Sequence, residues 1–180
     1  MEGGERLRLF CGLRLPDDVL DSVGTWQREH LRGRVVGRDN LHVTLAFLGG
    51  RPAEDVATIA DALASMPMFA PMLFRVRGYR ETRSVGMLVL DDVTGAATAA
   101  AEQLHEQLEL LGIYEREKRR WLAHVTVLRF REPPRLRPPV PELGTFAPSE
   151  AAVYLSRLRP GGAQYQVLES FPVGGSPSGS

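Results

Sequence analysis

Among its 180 residues the chain has one cysteine, one lysine, four histidines and no long apolar run. Each shortage excludes something. A single thiol, Cys11, cannot form an intramolecular disulfide, so the fold must rest on packing, and a reducing compartment is expected. No stretch approaches the roughly 20 apolar residues that cross a bilayer, and no signal-peptide core opens the chain, so a cytoplasmic protein without membrane contact is expected. Net charge is also missing, because 22 basic and 22 acidic residues cancel. No global field then draws in nucleic acid or an anionic membrane, and any anion site must be local. Lys118 leaves arginine as nearly the whole basic set. Arginine suits phosphate through its planar donor fork. With Ala, Gly and Val also frequent, a bias toward GC-rich codons is the simpler explanation.

What is present describes an ordinary soluble domain, 43% apolar and 24% charged. The length allows one compact domain or two closely fused lobes. Residues 6–14 alternate as a strand and bury Cys11, far from any group that would activate it. Pro16, Asp17 and Asp18 open a helix carrying Val19, Leu20, Val23 and Trp26 at helical spacing. A strand closed by Gly49-Gly50 follows, then a second helix from Pro52 with Val56, Ile59, Ala60 and Leu63. Residues 72–79 and 84–90 form a β pair. A long helix at about 94–111 carries Ala97, Ala101, Leu104, Leu108 and Leu111, with Gly112 as its stop. His105 flanks that stripe as a half-buried structural histidine. After the charged run Glu115–Arg120 comes another strand, then a Pro/Arg-rich loop at 131–141. Two strands near 150–158 and 164–171 close the fold around Pro160-Gly161-Gly162. The tail 174–180, nearly all Gly, Ser and Pro, is expected to be disordered. Helices and strands intermix without a regular β-α-β period, which argues for α+β with antiparallel sheets.

Two of the four histidines occupy matched slots. His42-Val43-Thr44-Leu45 and His124-Val125-Thr126-Val127 lie 82 positions apart (124 − 42), each inside a short apolar run. In a strand alternate side chains share a face, so each run turns one imidazole and one hydroxyl the same way, with Val43, Leu45, Val125 and Val127 facing the core. Displacement at phosphorus needs a base for the attacking oxygen and an acid for the leaving one. Two imidazoles flanking a phosphate supply both. Threonine hydroxyls hydrogen-bond the non-bridging oxygens, and Arg129 or Arg131 adds a charge-assisted contact. A lone His-x-Thr in a strand is commonplace; two in so histidine-poor a chain are less so. A metal centre has little support: neither motif holds an adjacent carboxylate, and no HExxH or Cys/His cluster occurs. Asp39 reads as a turn residue beside Asn40. A nucleophilic serine lacks its G-x-S-x-G elbow. The basic run Lys118-Arg119-Arg120 and the loop arginines Arg131, Arg135 and Arg137 flank the second motif and would border the cleft and hold a substrate's phosphate backbone, with a solvated surface the stronger reading for the distal loop.

These motifs resemble those of the two-histidine phosphoesterases, and specifically the RNA 2′,3′-cyclic phosphodiesterases, also called 2′-5′ RNA ligases. RLFCGLRLPDDV is similar to that family's opening strand and helix, NLHVTLAFLGG to its first motif, HVTVLR to its second, and YLSRLRPGGAQYQVLESFPV to its closing hairpin. The likeness spans residues 6–173. Ala46 stands where many relatives carry arginine, and Leu122-Ala123 where they carry Arg-Pro. The resemblance implies one bilobal α+β domain over residues 1–173. Two antiparallel sheets would face a central cleft under pseudo-two-fold symmetry, with helices packed outside. It implies His42 and His124 as catalytic residues, His42 as acid and His124 as base, with Thr44 and Thr126 binding substrate; Arg129 joins them as a substrate contact on the charge argument above. It also implies opening of RNA 2′,3′-cyclic phosphate ends to 2′-phosphomonoesters without metal or cofactor, and a monomer is expected. Action on another cyclic phosphate, joining of 2′-5′ RNA ends, or non-catalytic binding of RNA ends are the alternatives.

Overall fold

The computed structural model describes residues 4–67 and 70–173; the tail 174–180, expected to be disordered, lies outside the described residues. In chain order the elements are β1 Arg6–Arg14, α1 Asp17–His30, β2 Arg34–Val35, β3 His42–Pro52, α2 Asp55–Ala64, β4 Phe74–Glu81 and β5 Val85–Asp92. Then come α3 Ala96–Leu110, β6 His124–Arg129, β7 Glu150–Arg159 and β8 Gly162–Pro172. A 3-10 turn at Arg38–Asn40 leads into β3. The α+β architecture with antiparallel pairing holds, as one curled half-barrel ordered β4-β5-β6-β3-β1-β7-β8. The two sheets expected from the sequence are the two halves of this ladder. They meet at a single pairing, Val43 with Val125. Further along β6, the short β2 takes over, pairing Arg34 with Arg129 and Val35 with Leu128.

Apolar spacing decides which face the helices cover. Val43, Leu45, Val125 and Val127 are at most 2% exposed and share one cluster with Val23 and Trp26 of α1, Ile59 and Leu63 of α2, and Leu104 and Leu108 of α3. Burying so many aliphatic side chains, each contributing about 1.5–3 kcal/mol, fixes both motif strands from behind. The opposite, concave face holds a small aromatic cluster of Phe10 and Tyr154 with Tyr165 packed on it.

Three expectations shift. β3 runs through Gly49-Gly50 to Pro52, because β1 continues to pair with it (Leu9 with Gly49, Arg6 with Pro52), and α2 starts later, at Asp55. α3 ends at Leu110, and Gly112 takes the left-handed φ of 70° that turns the chain away. Leu111 is therefore 51% exposed instead of completing the stripe.

Candidate active site

The pair Val43–Val125 is the midpoint of the site. One step along antiparallel strands in either direction sets His42 beside Thr126 and Thr44 beside His124. Two imidazoles and two hydroxyls thus form a square on the concave face, each motif reaching across to the other.

Strict alternation would stop there, because position five after each histidine falls on the core face. Each motif strand instead carries a bulge. In β3, Gly12 pairs with Thr44 and Cys11 with Ala46, leaving Leu45 extra; in β6, Met87 pairs with Thr126 and Gly86 with Leu128, leaving Val127 extra. Leu45-Ala46 and Val127-Leu128 then both face the core, and Phe47 and Arg129 return to the cleft. Carbonyls at both bulges accept hydrogen bonds from buried helix side chains, and Val127 O also accepts from Val36 N (3.0 Å). His105 of α3 donates Nε2–H to Leu45 O (2.7 Å), and Gln27 of α1 donates Nε2–H to Val127 O (3.0 Å) and Val36 O (2.9 Å). His105 and Gln27 are two of the three buried polar residues among those described, and both serve this purpose. His105, expected to be half-buried, is fully buried, and its structural role is this cap; Gln27 carries no sequence signal.

Both imidazoles are oriented alike. Nδ1 lies 2.8 Å from Asn40 O in His42 and 2.8 Å from Leu122 O in His124. A carbonyl only accepts, so Nδ1 carries the hydrogen and Nε2 addresses the cleft. His42 Nε2 is 2.9 Å from Thr44 Oγ1, which donates to it when the ring is neutral. Asn40 is itself pinned by donation from Nδ2 to Ala163 O at 2.8 Å. Trp121 donates Nε1–H to Thr44 O at 2.9 Å and so ties the segment before β6 to the first motif.

Their surroundings differ. The His42 ring packs on Phe10 (centroids 4.8 Å), meets Tyr165 edge-on (5.3 Å) and lies 5.9 Å from Tyr154. It also lies over Gly12, where a Cβ would come within 3.3 Å of His42 Cδ2 and Tyr154 Cε2 and 3.1 Å of Val43 O. Burial lowers the His42 pKa from 6.5 to about 4; the Asn40 carbonyl opposes this, while the charges of His124 and Arg129 add to it. In the unfolded chain the ring binds its proton near pH 6.5. Stabilisation present above that pH is therefore lost as pH falls toward 4. Relative to His42→Leu, the wild type should lose about 2 kcal/mol of stability between pH 7 and pH 5, read by urea unfolding. Parallel pH dependence in the two proteins would show that His42 titrates normally.

Two cavities adjoin the square and share Thr44 and Phe47. The first, about 420 Å³, is lined by His42, Thr44 and Thr126 and ringed by Arg8, Arg34 and Arg129, with no carboxylate in its wall. The Arg8 guanidinium sits 5.1 Å from the Phe47 ring centroid, and Phe47 is 49% exposed. The second, about 530 Å³, is lined by His124, Trp121 and Tyr114, by Lys118, Arg119 and Arg120, and by the carboxylates of Glu102 and Glu117. Arg129 thus lines the first cavity together with Thr126, whereas Arg131 lines neither cavity. Arg135 and Arg137 of the distal loop line neither as well, in keeping with a solvated surface there. Their loop is fastened elsewhere, by Arg135 N and Leu136 N donating to Glu81 (2.7 and 3.0 Å) and Trp26 Nε1 donating to Pro139 O (2.6 Å). Cys11 lies under the sheet, its thiol pushed up to about 12 by burial, so it is inert. Among the described residues, no three His, Cys, Asp or Glu side chains gather as a metal site would require, and no helix is long and apolar enough to cross a membrane.

A curled antiparallel half-barrel presenting a His-x-Thr pair from each of two central strands defines a two-histidine phosphoesterase. A family model described as LigT like Phosphoesterase matches residues 13–83. The RNA 2′,3′-cyclic phosphodiesterase of Thermus thermophilus is 30% identical over 189 positions, covering 94% of this chain and 91% of that protein. The Escherichia coli protein of the same name is 28% identical over 94% of this chain and 98% of its own length. Among solved structures, TT0787 of Thermus thermophilus superposes with a TM-score of 0.76 at 31% identity, covering 93% of this chain and 98% of that one. The E. coli LigT structure complexed with 3′-AMP superposes with a TM-score of 0.80 at 24% identity and 94% coverage of this chain, a likeness of fold. The chain belongs to the LigT-like phosphoesterase family.

Proposed function

We propose that the protein hydrolyses 2′,3′-cyclic phosphate ends of RNA to 2′-phosphomonoesters, with His42 and His124 as acid and base. The observation that carries this is the square about Val43–Val125, which sets two imidazoles and two hydroxyls on one face of the sheet, beside two adjoining cavities that share Thr44. The activity named for the Thermus and E. coli relatives supports it. Water attacks phosphorus and gives its proton to one imidazole. The P–O3′ bond breaks, and O3′ takes a proton from the other, leaving a 3′-hydroxyl and a 2′-phosphate. Thr44, Thr126 and Arg129 hold the non-bridging oxygens, where charge-assisted hydrogen bonds are strongest. Phe47 offers the neighbouring nucleobase an apolar face whose other side is backed by Arg8.

The chemistry needs only proton transfer and fixed donors. The test is turnover of an oligonucleotide with a 2′,3′-cyclic phosphate end in the presence of EDTA, with the product identified by phosphorus NMR. Undiminished release of the 2′-phosphomonoester is expected. Activity that vanishes with chelator and returns with Zn²⁺ or Mn²⁺ would overturn the mechanism, and failure to open the ring would overturn the function.

A further inference from the structure

The second cavity has more in it than the hydrolysis of a cyclic phosphate requires. It reaches His124 and shares Thr44 and Phe47 with the first, yet its far wall comes from two distant segments. Arg80 and Thr82 arrive from the end of β4 and its turn, and Lys118, Arg119 and Arg120 from the stretch before β6. Trp121, anchored on Thr44 O, fixes where that stretch enters the site. Its cations are unevenly committed. Arg116 is held by Glu109, and Arg119 lies 3.9 Å from Glu117. Arg80, Lys118 and Arg120 have no carboxylate within ion-pair distance among the described residues, and all three are exposed. Glu102 and Glu117 also line this groove of about 530 Å³, so its wall holds five cations against two carboxylates, and in a chain of zero net charge that local excess marks a polyanion track.

We propose that this second cavity is a strand subsite that holds the phosphodiester backbone of the RNA leading to the cyclic end, with Arg80, Lys118 and Arg120 as its phosphate contacts. The inference rests on the proposed hydrolysis and extends it: the preferred substrate is an oligonucleotide, and a cyclic mononucleotide fills only part of the site. Trp121 and Tyr114 supply stacking surfaces in the same groove, as single-strand binders do without reading sequence. An acidic protein surface would satisfy the charges but would make no use of a groove that opens onto His124.

Kinetics with a cyclic mononucleotide and with a short oligonucleotide ending in the same cyclic nucleotide test this. Three phosphate contacts on a single strand correspond to a salt slope of about −2, so kcat/KM for the oligonucleotide should fall about 100-fold per decade of salt beyond the change seen with the mononucleotide. The triple variant Arg80→Gln, Lys118→Gln, Arg120→Gln should remove that extra slope. It should also bring the oligonucleotide-to-mononucleotide ratio of kcat/KM toward one, acting through KM. In parallel, fluorescence anisotropy with the same oligonucleotide carrying a 2′-phosphate end reads binding without turnover. If the wild type opens neither substrate, the hydrolytic function falls, and the anisotropy still decides the subsite. Equal salt slopes for both substrates, or oligonucleotide binding untouched by the triple variant, would overturn the strand subsite alone.

Discussion

Replacing either motif histidine with alanine is expected to lower kcat on a cyclic-phosphate end by about 10²–10⁴-fold, the range a positioned proton donor or acceptor supplies. Each Nδ1 is anchored by a backbone carbonyl at equal length, 2.8 Å to Asn40 O and 2.8 Å to Leu122 O, which leaves both Nε2 atoms free to exchange protons. Neither proton transfer has a substitute among the other side chains of the square, because threonine is too weak an acid and too weak a base near neutral pH. Thr44→Ala and Thr126→Ala should cost less, about 10- to 100-fold, since each removes one hydrogen bond to a charged group while Arg129 and the remaining hydroxyl stay. The double histidine variant should be little worse than the poorer single one, as expected for groups that act as a unit. Single-turnover kinetics on folded variants, checked by circular dichroism, decide between these outcomes. Near-normal turnover by both alanine variants would leave the motifs only a binding role.

The faces of the motif strands are legible because period-two alternation needs only local sequence. His42, Thr44, His124 and Thr126 go one way, and Val43, Leu45, Val125 and Val127 the other. The bulges are not legible. They place Phe47 on the cleft face against alternation, and nothing in LAFLG distinguishes an extra inward residue from a regular strand. Charge alone suggests Arg129; the matching bulge at Val127 is what turns it to the site. The orienting groups are hidden for a different reason. Asn40 and Leu122 act through backbone carbonyls, which every residue has. The cage around His42 joins Phe10, Tyr154 and Tyr165 from β1, β7 and β8, brought together by sheet order alone. The basic segments illustrate the limit of sequence proximity. Lys118–Arg120 and Arg131–Arg137 flank the second motif about equally, but Trp121 holds the first segment at the cleft and Glu81 holds the second away from it.

A substrate whose leaving oxygen needs no proton should separate the two histidines. The family resemblance makes His42 the acid, yet burial holds its pKa at about 4, where an acid would be mostly spent at neutral pH. The bound phosphate supplies the correction. A negative charge about 4 Å from the ring, at an effective dielectric near 20, stabilises the imidazolium by about 4 kcal/mol, or about 3 pKa units. That returns His42 to the neutral range only when substrate is present. A kinetic pKa near 4 in kcat/KM, which reports the free enzyme, should therefore move up toward 7 in kcat, which reports the complex. With an aryl phosphodiester, whose phenolate departs unprotonated, His42→Ala should come within about tenfold of wild type, while His124→Ala stays down by about 10² or more, because water must still be deprotonated. The opposite pattern would make His42, neutral in its aromatic cage, the base and His124 the acid. Failure of both variants to recover would mean that each imidazole does more than move one proton, with positioning of the phosphate as the shared task.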